Sequence, residues 1–105
     1  MRIVSKSRCE ESKLKMEIRD YIESRGGFWS NVQGGPYSKK GDPDIIACYR
    51  GYYVAIEAKD GDNSMDEYQK TRLVQILKAG GIHIEAYSVG DVADVFDNID
   101  SLLFG

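Results

Sequence analysis

The chain alternates between two patterns of apolar and polar residues. Some segments repeat apolar residues every three or four positions, as one face of a helix does, and others alternate or run together, as in strands. Glycine pairs at 26–27 and 80–81 and the polar loop of residues 33–42 separate these segments. In chain order, the patterns predict a helix over 10–25, strands over 28–32, 44–49 and 52–59, a helix over 65–79, a strand over 82–89 and a helix over 91–99.

This order of elements predicts an α/β fold with an αβββαβ core, in which helices flank a mixed central sheet. The length of 105 residues suits a single domain that spans residues 1–105. Ser64 and Glu67 have the spacing of a capping box, which places the start of the second helix near Met65. The apolar residues after position 91 either close the core or form a subunit interface.

The composition argues against several kinds of site. Cys9 and Cys48 lack the C-x-x-C spacing, so we expect reduced thiols and no zinc site built on them. His83 is the only histidine, which argues against mechanisms that need a histidine pair. No segment has the length of a membrane span, and the N-terminus has no apolar signal core, so we expect a cytoplasmic protein.

The distribution of charge leaves room for a nucleic-acid partner. The net charge of −3 taken alone argues against one. Residues 1–50, however, hold ten Lys/Arg and seven Asp/Glu, a net charge of +3, whereas residues 51–105 hold four and ten, a net charge of −6. A basic surface in the N-terminal half can therefore meet phosphates while the rest stays acidic.

The two central strands predict a hairpin with charged residues at its open end. If Arg50 and Gly51 are the central residues of a tight turn, opposed residues have numbers that sum to 101. Asp44 then lies opposite Glu57, and Lys59 shares their face because side chains alternate along a strand. The other face is apolar and predicts core residues: Ile45, Ala47, Val54 and Ile56.

Two carboxylates opposed on neighbouring strands repel each other, and a divalent cation removes that repulsion. Mg²⁺ suits such hard oxygen ligands, and it activates water and polarises phosphoryl oxygens. Lys59 would orient that water or stabilise charge that develops on a phosphate. The alternative is structural, in which Asp44 caps a strand and Glu57 and Lys59 are solvated charges at the sheet edge.

Short motifs in this hairpin resemble the PD-(D/E)XK nuclease superfamily. Pro43-Asp44 matches the PD, and Glu57-Ala58-Lys59 matches the ExK. Within that superfamily, residues 10–90 most resemble the VRR-Nuc domain, the virus-type replication-repair nuclease that also occurs as small stand-alone phage proteins. Further points of resemblance are the Gly41-x-Pro43-Asp44 spelling, Gln69 ten residues after Lys59, and the Gly80-Gly81 turn.

The resemblance implies a restriction-endonuclease-like fold and an endonuclease that depends on Mg²⁺ or Mn²⁺. Asp44, Glu57 and the backbone carbonyl of Ala58 would be metal ligands, and Lys59 the catalytic lysine. Related Holliday-junction resolvases are homodimers that cut branched DNA. The resemblance thus implies a homodimer that acts on branched DNA in replication, repair or recombination, in the host cytoplasm if a phage encodes it.

Two supporting residues each have a structural alternative. Glu17 is implied as a further metal ligand, because related nucleases supply a glutamate from the first helix, but it also suits an ordinary ion pair with Lys13. Gln69 lies on the apolar stripe of the second helix, where a polar amide needs a partner. It is implied as a catalytic-site residue near the metal or the phosphate, and alternatively it is a core or boundary glutamine whose amide has a hydrogen-bond partner.

The loop before Asp44 is a candidate DNA-binding segment. Lys39 and Lys40 would neutralise phosphates, Tyr37 would stack on an exposed base, and Ser38 lies between them. The alternative is a solvated loop without a ligand. Asp42, at its end, would pair with Lys59 by the sum rule or belong to the turn alone.

We expect a structure-selective, metal-dependent DNA endonuclease. One alternative is a non-catalytic nucleic-acid-binding module on the same fold, but Asp44, Glu57 and Lys59 are all present. Another is a restriction-type enzyme that reads a base sequence. A chain of 105 residues leaves little room for a separate recognition element, which disfavours that alternative.

Overall fold

The computed structural model describes residues 6–32, 41–59 and 65–105, with side chains from residue 12 onward in the first range. Its elements are α1 (Lys6–Ser24), β1 (Phe28–Asn31), β2 (Ile45–Tyr49), β3 (Tyr52–Ala58), α2 (Glu67–Lys78), β4 (Ile82–Ala86) and α3 (Val89–Phe104). The predicted order of helices and strands is confirmed. In the part of the chain so described, no helix combines the length and apolarity needed to cross a membrane.

The four strands form one mixed sheet in the order β1-β2-β3-β4. The first three strands pair antiparallel, and β4 pairs parallel to β3. The connection from β3 to β4 passes through α2, as a parallel pair requires a crossover. The predicted α/β fold with a mixed central sheet is therefore confirmed.

The central hairpin has the predicted register. Tyr49 pairs with Tyr52, Ala47 with Val54, and Ile45 with Ile56. Arg50 and Gly51 both have positive φ, +51° and +85°, which is the backbone of a two-residue turn whose twist matches the strands. The turn thus fixes which residues of β2 and β3 face each other down to the open end.

The core lies on one face of the sheet, between the strands and the helices α1 and α3. Alternate residues of β2 and β3 point into it, together with Ile18 and Ile22 of α1 and Val92, Phe96 and Ile99 of α3. The rings of Tyr49 and Phe96 stack at a centroid distance of 4.1 Å. α2 lies on the opposite face, where its Ile76 approaches Tyr53 and Gly81.

The second helix begins with a different cap from the one predicted. Its N-cap is Asp66, whose Oδ1 accepts a hydrogen bond from the Gln69 backbone N–H at 2.8 Å. The Gln69 Oε1 accepts in return from the Asp66 N–H at 3.1 Å. The predicted box of Ser64 with Glu67 is therefore wrong, and Ser64 lies outside the described residues. A carboxylate is the stronger cap because its charge also interacts favourably with the helix dipole.

The last helix is longer than predicted, and the strand before it is shorter. β4 ends at Ala86 rather than at residue 89, because the Asp91 carboxylate accepts hydrogen bonds from the backbone N–H groups of Tyr87 and Ser88. This carboxylate caps α3 and draws the preceding residues out of the strand. The helix buries Val92, Phe96 and Ile99 of its first three turns in the core, while Leu102, Leu103 and Phe104 are exposed.

Asp100 joins three elements at the turn end of the hairpin. Its carboxylate accepts hydrogen bonds from the Tyr49 hydroxyl at 2.9 Å, from Arg25 Nη2 at 2.8 Å and from Arg50 Nε at 2.7 Å. These donors lower the pKa of Asp100, against the opposing effect of its desolvation. The end of α1, the hairpin turn and α3 are thereby held together.

Replacement of Phe96 by alanine should strongly destabilise the fold. The side chain is fully buried and stacks on Tyr49, so its loss opens a cavity that costs about 3–5 kcal/mol. Asn98→Ala, at an exposed position on the same helix, should change the free energy of unfolding by no more than about 0.5 kcal/mol. Urea unfolding of the two variants measures both, and equal effects would contradict the position of the core.

Candidate active site

The open end of the central hairpin holds the three residues predicted for the site, which are Asp44, Glu57 and Lys59. Asp44 immediately precedes β2, Glu57 is the second-last residue of β3, and Lys59 follows that strand. The Lys59 backbone N–H donates to the Ala86 carbonyl at 2.8 Å, so β4 holds this end of the chain. The structure therefore gathers these residues where β2, β3 and β4 meet.

Asp44 is fixed by both its backbone and its side chain. Its N–H donates to the Ile56 carbonyl at 3.1 Å, and its own carbonyl accepts from the Val32 N–H at 3.3 Å. Its Oδ2 accepts from the Ala58 N–H at 2.9 Å. The ladder of paired residues begins at Ile45, and beyond it the Asp44 side chain continues the contact with β3 as far as Ala58. The carboxylate is thus aimed at the Glu57-Ala58-Lys59 segment.

Burial separates this group of residues from ordinary surface charges. Glu57 is 3% exposed and Lys59 is 6% exposed, although most charged residues stay on the surface. The side chain of Asp44 is 10% exposed. The alternative that Glu57 and Lys59 are solvated charges at the sheet edge is therefore wrong.

The surroundings of Glu57 favour its neutral form. Burial, followed by the nearby charge of Asp44, raises the pKa of Glu57 to about 7, and Lys59 acts in the opposite direction. Glu85 and Asp66 add smaller effects that also raise this pKa. Glu57 therefore lies in an excess of negative charge that a cation would relieve.

Sequence reasoning missed the two outer carboxylates. Glu85 is the direct partner of Glu57 in the parallel pair of β3 and β4, and Asp66 is the N-cap of α2. The alternation of Glu85 with the buried residues Ile84 and Ala86 indicated which face it would take. The register between β3 and β4 was not predictable, because a crossover helix does not fix it as a two-residue turn does.

A second lysine, Lys15 of α1, also reaches the site. Its Nζ lies 3.6 Å from Asp44 Oδ1, and its side chain is three-quarters buried. It lies between the buried residues Leu14 and Ile18, a position that could have indicated an inward orientation. Lys15 and Lys59 together offset part of the negative charge that Asp44 and Glu57 bring to the site.

Glu17 does not join the two central carboxylates. It is exposed and lies about 200° around the helix from Lys15, which is the residue that faces Asp44. Among the side chains that the structure describes, no group of three or more His, Cys, Asp or Glu is placed to hold a metal ion. The described carboxylates at the hairpin end are therefore a pair with two more acids at longer range.

Gln69 is half-buried, and its amide oxygen is used in the cap of α2. The hydrogen-bond partner that the structural alternative required is therefore present in the Asp66 N–H. Any contact of Gln69 with a phosphate would use its Nε2 group. The cap also connects Gln69 to the site indirectly, since its partner Asp66 contributes to the electrostatic surroundings of Glu57.

The four predicted DNA-binding residues, Tyr37, Ser38, Lys39 and Lys40, lie outside the described residues. The chain that follows them is anchored on α2. Gly41 has a φ of +90°, and a Cβ there would overlap the Tyr68 backbone carbonyl. Asp42 forms an ion pair with Arg72 of α2, with 2.9 Å between Oδ1 and Nε, rather than only the turn contact or the Lys59 pair that the sequence suggested.

The fold and the candidate site together characterise the class of protein. The fold is a mixed four-stranded sheet with helices on both faces, and a buried acid pair with a lysine lies at the end of its central hairpin. A solved structure described as a "VRR_NUC domain" matches the chain with a TM-score of 0.64. The match covers 90% of this chain and 94% of that one, at 22% sequence identity.

The chain therefore has the fold of a VRR-Nuc domain, as the motif resemblance predicted. No protein-family model matches the sequence. No curated protein matches it at a significant level either. At the level of the solved structure the likeness is one of fold, and the chemistry of the site has to be argued from its own residues.

Glu57 should make the metal-free protein less stable as the pH rises from about 5 to 7. Its pKa is about 7 in the folded state and near 4.5 when unfolded, so the folded state binds more protons in this window. The loss should be on the order of 2 kcal/mol, complete above pH 7, and absent from Glu57→Gln. Urea unfolding in EDTA at several pH values measures it.

Comparison of the wild type with the variant removes the contribution of His83, whose pKa is lowered by burial. Glu67→Gln, an exposed glutamate at the start of α2, is the matched control and should keep the wild-type pH dependence. A Glu57→Gln protein with an unchanged pH dependence would show that Glu57 is ionised in the free protein.

Proposed function

We propose that the protein is a DNA endonuclease that hydrolyses phosphodiester bonds with the help of Mg²⁺ or Mn²⁺. The observation that carries this proposal is the buried group of Asp44, Glu57 and Lys59 at the end of the central hairpin of a VRR-Nuc fold. Buried like charges destabilise a fold, and such groups are concentrated at functional sites, so this arrangement supports a catalytic role.

The donor set suits a hard divalent cation. Asp44 and Glu57 offer carboxylate oxygens close enough for one to raise the pKa of the other. Mg²⁺ characteristically uses one or two carboxylates and keeps several waters, so a pair is sufficient. Ala58 would add its backbone carbonyl, while the exposed position of Glu17 gives it the weakest support as a ligand. The bound cation would supply an activated water and polarisation of the phosphoryl oxygen.

The residues of the chain have separate tasks in this proposal. The Ala58 N–H fixes the orientation of the Asp44 carboxylate. Glu57 gives up its proton when a cation binds, since only the ionised carboxylate is a good ligand. Lys59 is buried next to the two acids, where its ammonium group would stabilise charge that develops on the phosphate. Gln69 would contact the phosphate through its amide nitrogen.

The DNA would approach from the side of the loop before Asp44. Tyr37, Ser38, Lys39 and Lys40 would contact the backbone and exposed bases, and Gly41 and Asp42 hold the end of that loop on α2. Lys15, already at Asp44, would be a second cation near the phosphate. These basic residues would form a local positive surface, which is compatible with the overall net charge of −3.

We further propose a homodimer that selects branched or junction DNA over linear duplex, in replication, repair or recombination. In the part of the chain that the structure describes, all helices and strands belong to one small α/β core, which favours a choice by DNA shape over base sequence. The exposed apolar end of α3, at Leu102, Leu103 and Phe104, is the part of the described surface that best suits a subunit contact. The proposed place of action is the cytoplasm, of the host cell if a phage encodes the protein.

Cleavage should require a divalent cation, Asp44 and Lys59. We expect labelled flap or four-way junction DNA to be cut with Mg²⁺ or Mn²⁺, more slowly as linear duplex, and not in EDTA. Asp44→Asn keeps the acceptor for the Ala58 N–H, and Lys59→Met keeps the length of a buried side chain, so both should fold. Each should lower the rate by a factor on the order of 100 or more.

Asp20→Asn, at an exposed position of α1, is the control and should cut at the wild-type rate. DNA that is bound without being cut, under every metal condition, would replace the enzyme with the non-catalytic binding module. Cutting by Lys59→Met at the wild-type rate would remove Lys59 from the catalytic residues.

Mn²⁺ binding should depend on Glu57 and on pH. Titration calorimetry without DNA should show affinity rising from pH 6 to 8, because Glu57, with a pKa of about 7, must lose a proton. Glu57→Gln should weaken binding by about tenfold or more and remove this pH dependence. The Glu67→Gln control should titrate like the wild type, and unchanged heats in Glu57→Gln would exclude Glu57 as a ligand.

A further inference from the structure

A cleft lies between α2 and the start of β3, away from the acid pair. It has a volume of about 440 Å³, which is within the range of ligand sites. Its walls combine two planar polar side chains and one aromatic ring with an apolar floor: Tyr53, Arg72, Gln75, Ile76, Ala79 and Gly81. The tasks assigned above to the catalytic residues do not use it.

Tyr53 forms the aromatic wall of the cleft. It is 47% exposed and lies on the same face of β3 as Glu57, so its ring is accessible. Gly81 allows the ring to pack closely, because a Cβ there would lie 3.1 Å from Tyr53 Cδ1 and 2.8 Å from Ile76 Cγ2. The cleft thus has a flat surface and a floor from which a larger side chain is excluded.

Arg72 presents a guanidinium plane in a fixed orientation. Its Nε lies 2.9 Å from Asp42 Oδ1, and its Nη1 donates to Gln75 Oε1 at 2.6 Å. The ion pair with Asp42 offsets the positive charge, so the cleft attracts a phosphate weakly. The Arg72 guanidinium still offers a planar face, and the amide nitrogen of Gln75 can donate to the edge of a base.

The distance between the cleft and the acid pair corresponds to a few nucleotides of a DNA strand. Tyr53 and Glu57 are four residues apart on one strand, which is about 13 Å at 3.3 Å per residue. This distance equals about four base steps of a B-form strand at 3.4 Å each. Asp42, which holds Arg72, is only two residues before Asp44, so the end of the loop lies beside both places.

We propose that this cleft receives one unpaired nucleobase of the DNA strand, which stacks on Tyr53 a few nucleotides from the bond that is cut. This inference rests on the proposed function and extends it. A base has the planar apolar faces and polar edge that the cleft matches, and stacking tolerates any of the four bases. The site would thereby favour DNA with an unpaired arm without reading its sequence.

The test measures DNA binding in EDTA, where no cleavage occurs, by fluorescence anisotropy. The probe is a flap DNA with a labelled unpaired arm, either intact or with a single abasic residue placed at successive positions of that arm. The proteins are the wild type, Tyr53→Ala and Tyr53→Phe. Phe28→Ala is the matched control, because Phe28 is another exposed aromatic residue of the sheet but lies outside the cleft.

We expect Tyr53→Ala to bind the intact DNA about tenfold more weakly, and Tyr53→Phe and Phe28→Ala to bind like the wild type. At one position of the arm, the abasic residue should cost the wild type about the same factor and Tyr53→Ala nothing further. Such non-additivity shows that ring and base contact each other.

Cleavage of the intact flap by the wild type, measured with Mg²⁺ in parallel, separates this inference from the proposed function. If the wild type cuts the flap and Tyr53→Ala binds it normally, the proposed base-binding cleft is wrong and the proposed nuclease function stands. Coupling between Tyr53 and the abasic position without any cutting would support the cleft and overturn the nuclease. A Tyr53→Ala protein that binds weakly but still responds to the abasic residue would overturn the base contact, and a wild type that binds no DNA would overturn both.

Discussion

Two acids and a lysine are buried at the end of the central hairpin, where apolar side chains would be easier to accommodate. Burial and the charge of Asp44 raise the pKa of Glu57, and the Ala58 N–H, Lys59 and Lys15 lie close enough to offset part of the negative charge. Asp44 precedes β2, Ala58 and Lys59 lie at the end of β3, and Lys15 comes from α1. The hairpin register, the docking of β4 and the rotation of α1 must therefore all be correct for this end of the sheet to be stable.

The two ends of the hairpin are held by opposite means. At the turn, Asp100 collects hydrogen bonds from Tyr49, Arg25 and Arg50, so one acid is shared among several donors. At the open end, two acids share few donors, and the pKa of Glu57 rises to about 7. The contacts of Asp100 stabilise the fold, whereas the acids at the open end would be stabilised by a further positive charge. This contrast supports the proposal that the open end is the catalytic site.

The hairpin is the part of the site that the sequence predicted best. Arg50 and Gly51 dictate a two-residue turn, and the turn fixes every pair down to Ile45 and Ile56. Glu85, Asp66 and Lys15 were missed because their approach depends on the register of β4, the cap of α2 and the packing of α1, which are set by tertiary contacts. The predicted cap at Ser64 failed for a local reason, since Asp66 offers a charged acceptor two residues later.

Gly41 has a consequence for how this protein can diversify. Its backbone conformation and its contact with Tyr68 fix the direction in which the chain enters the segment of Asp42, Pro43 and Asp44. The position of Asp44 therefore depends on the chain from Gly41 onward, which the contact with Tyr68 holds in place. Under the proposed function, sequence changes within residues 33–40 would alter the choice of DNA while Gly41 and Tyr68 keep the entry to Asp44 unchanged.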